Sequence, residues 1–113
     1  MAYNVRMVII ETSIFTKIIT RMMKDEEYRL LQESLIIKPD VGAIIQGSGG
    51  LRKARWKLEG KGKSGGIRYI YYWISEDNQI IMLYAYRKSK QETLTSEQIG
   101  ILKSAIERWK NEQ

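Results

Sequence analysis

The sequence predicts an α+β fold: a small, mostly antiparallel sheet of about four strands, with two helices before it and one after, in the order β-α-α-β-β-β-α. Three observations lead there. Two apolar stripes at helical spacing fill the first third of the chain, and strand-like runs separated by turn signals fill the middle. A capped amphipathic segment closes it. With 43% hydrophobic and 28% charged residues in 113 positions, the chain can bury one core, so a single domain over residues 1–113 is expected.

Tyr3 to Ile10 is rich in aromatic and β-branched residues and reads as the first strand. Thr12 or Ser13 offers a cap for a helix whose stripe is Phe15, Ile18, Ile19, Met22 and Met23. Asp25 is positioned to cap a second helix, with Glu26 and Glu27 in the turn where the macrodipole favours negative charge. Leu30, Leu31, Ser34 and Leu35 carry that helix to Lys38, Pro39 and Asp40, which stop it. A glycine-rich loop from Gln46 to Gly50 leads to Leu51–Leu58, where Lys53, Arg55 and Lys57 alternate with Ala54, Trp56 and Leu58. The Gly60–Gly66 tract reads as a hairpin loop into the strand Ile67–Ile74, and Asp77-Asn78 turns into a last strand, Ile80–Tyr86. Thr95 with Gln98 forms a capping box for a helix to about Asn111, its core side carrying Ile99, Leu102, Ala105, Ile106 and Trp109.

Composition removes whole classes of chemistry. The chain has no cysteine, hence no disulfide, thiolate zinc site or cysteine nucleophile. It has no histidine either, which excludes serine–histidine triads and the commonest metal ligand. Neither glycine tract has P-loop spacing, and Gly60-x-Gly62 joins two strands rather than a strand and a helix, so no nucleotide fingerprint is present. No metal or cofactor is implied. The apolar run Met7–Ile10 is too short for a signal-peptide core or a membrane span, and a cytoplasmic protein without membrane contact is expected.

Charge is concentrated. Arg52, Lys53, Arg55, Lys57, Lys61, Lys63 and Arg68 face one acid, Glu59, in a 17-residue segment whose balance of +6 equals that of the whole chain. A focused patch of this kind attracts a polyanion, and nucleic acid is the commonest one in a cell. Placing Lys53, Arg55 and Lys57 on one strand face costs a few tenths to about 1 kcal/mol per adjacent pair, which an anionic partner would offset. Arg68, within an otherwise apolar and aromatic strand, needs a carboxylate, a cleft or a ligand phosphate. Tyr86, at a strand end beside Arg87 and Lys88, is placed to stack on a base or donate its hydroxyl.

In this order and spacing the chain resembles the RelE/HigB group of bacterial type II toxins, closest to the HigB branch. The matching pieces are ETSIF at Glu11–Phe15, DEEYRLLQ at Asp25–Gln32, the Pro39, Gly42, Ile45 and Gly47 spacing, GGLRKxR at Gly49–Arg55, GKGKxGGxRxIYY at Gly60–Tyr72, and Tyr86 with Lys88. The resemblance implies a metal-independent mRNA interferase that enters the ribosomal A site and cuts translated message. It also implies a cognate antitoxin, a helix-turn-helix protein encoded nearby, with the ribosome, mRNA and small-subunit rRNA as further partners. The family's catalytic positions fall on Lys53, Arg55, Arg68, Tyr86 and Lys88. Arg52, Lys57, Lys61, Lys63, Arg87 and Lys90 are then RNA- or ribosome-binding. Arg87 stands where the family commonly has a small residue and Lys90 where it often has an acid, so both enlarge the positive patch.

The expected reaction is attack of a message 2′-hydroxyl on the adjacent phosphate, with Arg55 and Arg68 stabilising the phosphorane and Lys53 or Lys88 carrying a proton. Two alternatives stay open at this level: a gyrase-directed toxin of the same superfamily, and a non-catalytic RNA- or antitoxin-binding module.

Overall fold

In a computed structural model describing residues 6–58 and 66–112, the helical stripes and alternating runs become three helices and one five-stranded sheet. The elements are β1 (Val8–Glu11), α1 (Ser13–Met22), α2 (Asp25–Ile37), β2 (Ala43–Ile44), β3 (Arg52–Lys57), β4 (Gly66–Ile74), β5 (Gln79–Arg87) and α3 (Ser96–Asn111). The sheet order is β1-β5-β4-β3-β2; β1 runs parallel to β5 and the other neighbours are antiparallel. The expected α+β order holds with one addition, the edge strand β2. Two residues show no alternation, so the sequence carries no signal for it. Tyr3–Val5 of the first expected strand and Gly60–Gly65 of the hairpin loop lie outside the described residues.

Local chemistry explains the helices. Thr12 is the cap of α1, its hydroxyl accepting the Phe15 N–H at 3.2 Å. Asp25 does not cap α2. Lys24 holds that position without a side-chain cap bond, and Asp25, Glu26 and Glu27 fill the first turn, where the helix dipole favours them. The capping box of α3 is complete: Thr95 Oγ1 accepts the Gln98 N–H at 3.1 Å and Gln98 Oε1 accepts the Thr95 N–H at 3.0 Å.

The sheet is apolar on both faces. One face packs Ile67, Tyr69, Tyr71, Ile80 and Met82 against Phe15 and Ile19 of α1 and Leu31 and Leu35 of α2. The other packs Leu51, Ile70, Ile81, Leu83 and Tyr86 against Leu94 and Ile106, with Leu102 and Trp109 of α3 alongside. Fully burying each such side chain contributes about 1.5–3 kcal/mol, so both layers are held by apolar burial.

One irregularity sets up the site. Ile70 pairs with Tyr84 but Tyr71 pairs with Met82, leaving Leu83 without a partner in a β-bulge. Before the bulge, even-numbered residues of β5 (Ile80, Met82) face α1 and α2; after it, Tyr84 and Tyr86 face the α3 side.

Candidate active site

Residues directly opposite in an antiparallel ladder share a face, so the register maps the α3-side face of the sheet. Arg55 pairs with Arg68, and Arg68 with Tyr86, in one row across β3, β4 and β5. On one side of this row lie Ala43, Lys53, Ile70 and Tyr84. On the other, Lys57 pairs with Gly66, whose carbonyl accepts the Lys88 N–H at 3.1 Å and so fixes Lys88 just beyond β5. Lys53, Arg55, Arg68 and Lys88, with Ala43, Glu92 and Thr93, line a cleft of about 410 Å³. Four of the five predicted catalytic residues thus meet around one cavity.

Tyr86, the fifth, lies beneath them. It is 4% exposed and packs into the α3-side core, its ring centroid 6.0 Å from that of Tyr84. A ring so covered presents no face for a base to stack on. Its hydroxyl is buried without a hydrogen-bond partner among the described residues, and burial pushes its pKa up while the Arg68 charge pulls the other way. The hydroxyl is therefore protonated at neutral pH and available as a donor.

Arg68 is half-buried, and among the described residues its guanidinium donates to the neighbouring Ile67 carbonyl, a long contact of 3.4 Å. Arg55 is exposed beside it. The pair presents two forked donor groups to the cleft, the geometry that bidentate phosphate binding uses.

The predicted binding residues divide by face. Lys57 is exposed on the cleft side of the sheet, one row from Arg55. Arg52, paired with Tyr71, is on the opposite face: it donates to the Gly42 carbonyl at 2.7 Å and lies 5.8 Å from the centre of the Trp73 ring. Arg87 pairs with Ile67, which also turns it from the cleft, and Lys90 is exposed in the turn after β5. Lys61 and Lys63 lie outside the described residues.

Glu92, Thr93 and Ala43 are cleft residues that sequence reasoning missed. The Lys90 and Gln91 N–H groups both bond the Arg87 carbonyl, at 3.0 and 3.1 Å, so the chain turns back after β5. That turn carries Lys90 out and brings Glu92, four positions after Lys88, to the cleft wall. Among the described residues no group of three acidic side chains could hold a metal ion, and no helix is long and apolar enough to cross a membrane.

This architecture is a RelE-like fold. A chain of the intact E. coli RelBE toxin–antitoxin complex superposes with a TM-score of 0.51 at 14% identity, covering 71% of this chain and 94% of that one. A doubly substituted E. coli toxin RelE in the free state gives 0.52 at 18% identity, covering 76% and 87%. No protein-family model matches the sequence.

Proposed function

We propose that this chain, as one domain over residues 1–113, is the toxin of a type II toxin–antitoxin pair: a ribosome-dependent endoribonuclease of the HigB branch, acting in the cytoplasm on translated mRNA in the A site. The observation that carries the reading is the Arg55–Arg68–Tyr86 row flanked by Lys53 and Lys88, on one face of a RelE-like sheet. A message 2′-hydroxyl attacks the adjacent phosphate, giving a cyclic phosphate and a free 5′-hydroxyl. Arg55 and Arg68 hold the charge that builds on the phosphorane, and such preorganised donors contribute several kcal/mol in a dry site. The Lys53 or Lys88 ammonium protonates the leaving 5′-oxygen. Tyr86 closes the row beside Arg68, its buried hydroxyl a spare hydrogen-bond donor.

The ribosome supplies the in-line alignment of the 2′-hydroxyl by holding the message. Lys57, Lys61, Lys63 and Lys90 dock the toxin on small-subunit rRNA. Arg52 and Arg87, on the other face, take no part in the cleft. The inhibitory partner is a helix-turn-helix antitoxin encoded nearby.

Primer extension on message in a purified translation system tests the reading. Codon-registered breaks with the wild-type protein that vanish with Arg68→Ala support it. Double-strand DNA breaks would instead make the chain a gyrase poison, and intact RNA and DNA would make it a binding module.

A further inference from the structure

The cleft has ample positive charge and a shortage of proton acceptors. A charged lysine or arginine donates hydrogen bonds and accepts none, so Lys53, Arg55, Arg68 and Lys88 cannot take the proton of an attacking hydroxyl while charged. The Tyr86 hydroxyl is kept protonated by its burial. Thr93 carries a neutral hydroxyl. Glu92 is the one carboxylate among the described residues that line the cleft.

Its placement is built. Gln91 donates through Nε2 to the Thr93 carbonyl at 2.8 Å and to Gln98 Oε1 at 2.6 Å, the same oxygen that closes the capping box of α3. Two residues after Glu92, Leu94 is buried in the α3-side core. Glu92 is thus carried on a short segment fastened on both sides, one end to a helix cap and the other to the core. A carboxylate serving only solubility has no need of such fastening.

Resting on the nuclease reading, we infer that Glu92 is a further catalytic residue, the general base of the cleavage step. Its carboxylate takes the 2′-hydroxyl proton as the O2′–P bond forms. The P–O5′ bond breaks, and the departing 5′-oxygen takes a proton from the Lys53 or Lys88 ammonium. One proton enters the carboxylate and one leaves the ammonium, so the site ends with its charge moved but not changed, and water restores both groups. Glu92 also sets the affinity: a negative group facing Lys53, Arg55, Arg68 and Lys88 opposes phosphate binding, which its chemical role offsets.

Single-turnover cutting of message on programmed ribosomes, with binding measured separately, tests the role. Glu92→Gln keeps the shape and removes the base, and the side chain is exposed, so folding is preserved. The expected result is a loss of about 100-fold or more in cutting rate with ribosome binding equal to or tighter than wild type. Glu92→Asp should recover part of the rate. If the wild type cuts and Glu92→Gln cuts as fast, the carboxylate is only a counter-charge and the inference is overturned, while the nuclease reading stands. If the wild type leaves the message intact, the nuclease reading falls and this role with it.

Discussion

Arg68 and Tyr86 face one another across β4 and β5 because the ladder skips Leu83. In an unbroken strand Tyr86 would share a face with Ile80 and Met82, beneath α1 and α2, and its hydroxyl would be on the wrong side of the sheet from the arginines. The bulge thus determines which side the tyrosine serves.

Tyr86→Phe separates the hydroxyl from the ring. An unpartnered buried hydroxyl costs about 1–3 kcal/mol of desolvation, so removing it should leave stability unchanged or raised in urea titration. Cutting should fall at least about tenfold if the hydroxyl donates to the reacting phosphate. Equal cutting with higher stability would reduce Tyr86 to a filler of the α3-side core.

Arg55 and Arg52 lie three residues apart on one strand, on opposite faces, and should respond oppositely to truncation. Arg55→Ala relieves its direct opposition to Arg68, worth a few tenths to about 1 kcal/mol, so stability should hold or rise while cutting collapses. Arg52→Ala should lower stability through loss of the bond to the Gly42 carbonyl, with the salt dependence of ribosome binding unchanged. A weakened salt slope in Arg52→Ala would place that charge on the RNA after all.

The strength of the sequence signals explains what could be read in advance. Period-2 alternation placed Lys53, Arg55 and Lys57 on one face, and the Thr95–Gln98 spacing announced the last helix, because both are local patterns. Charge counts group Arg52 with its basic neighbours because they ignore which face a side chain takes. Tyr86 reads as available for stacking because its burial comes from packing with Leu94 and Ile106 in the α3-side core, which no local pattern announces. Glu92 gives no sequence signal because its approach to the cleft depends on a turn at the Arg87 carbonyl, a bond between backbone groups that residue identity does not specify.

Gly42 is a point where no side chain fits. A Cβ there would lie 2.9 Å from the Tyr71 ring and 3.0 Å from the Lys53 backbone carbonyl, which cannot easily move. Its N–H donates to the Tyr71 hydroxyl at 2.9 Å, and that hydroxyl donates to the Pro39 carbonyl at 2.6 Å. Gly42→Ala should cost about 1–3 kcal/mol by overpacking, and Tyr71→Phe a similar amount by orphaning the buried N–H. Because Ala43 is the adjacent wall of the cleft, both variants should also slow cutting under conditions where they remain folded. Denaturant titration paired with single-turnover rates checks this.

Alkaline titration should be unusually informative for a chain with no histidine. Burial raises the pKa of Tyr28, Tyr69, Tyr71 and Tyr86 in the folded protein, so each keeps its proton above pH 10, where the unfolded chain gives it up. A raised folded pKa means stability is complete below the unfolded value and falls as pH climbs past it, by about 1.4 kcal/mol per pH unit for each such tyrosine. Urea midpoints should therefore drop steeply between pH 10 and 11, and tyrosinate absorbance from these residues should appear with unfolding rather than before it. Tyr86→Phe should make the drop shallower. A tyrosinate signal from these rings in the still-folded protein would contradict the burial that creates the shift.

Gln98 ties the helix cap of α3 to Gln91, the neighbour of Glu92 on the cleft wall, and that coupling makes a last prediction. Gln98 Oε1 accepts from Thr95 N–H and from Gln91 Nε2, so Gln98→Ala removes half of the capping box and frees the segment that carries Glu92. Loss of stability should be about 1 kcal/mol, typical of a lost cap, with cutting reduced further than that loss alone explains. Gln98→Glu is the discriminating partner. A carboxylate accepts both bonds and is favoured in the first turn of a helix, so stability and cutting should both return. Recovery of stability without recovery of cutting would show that the cap does not position Glu92 and that the two share a residue only by proximity.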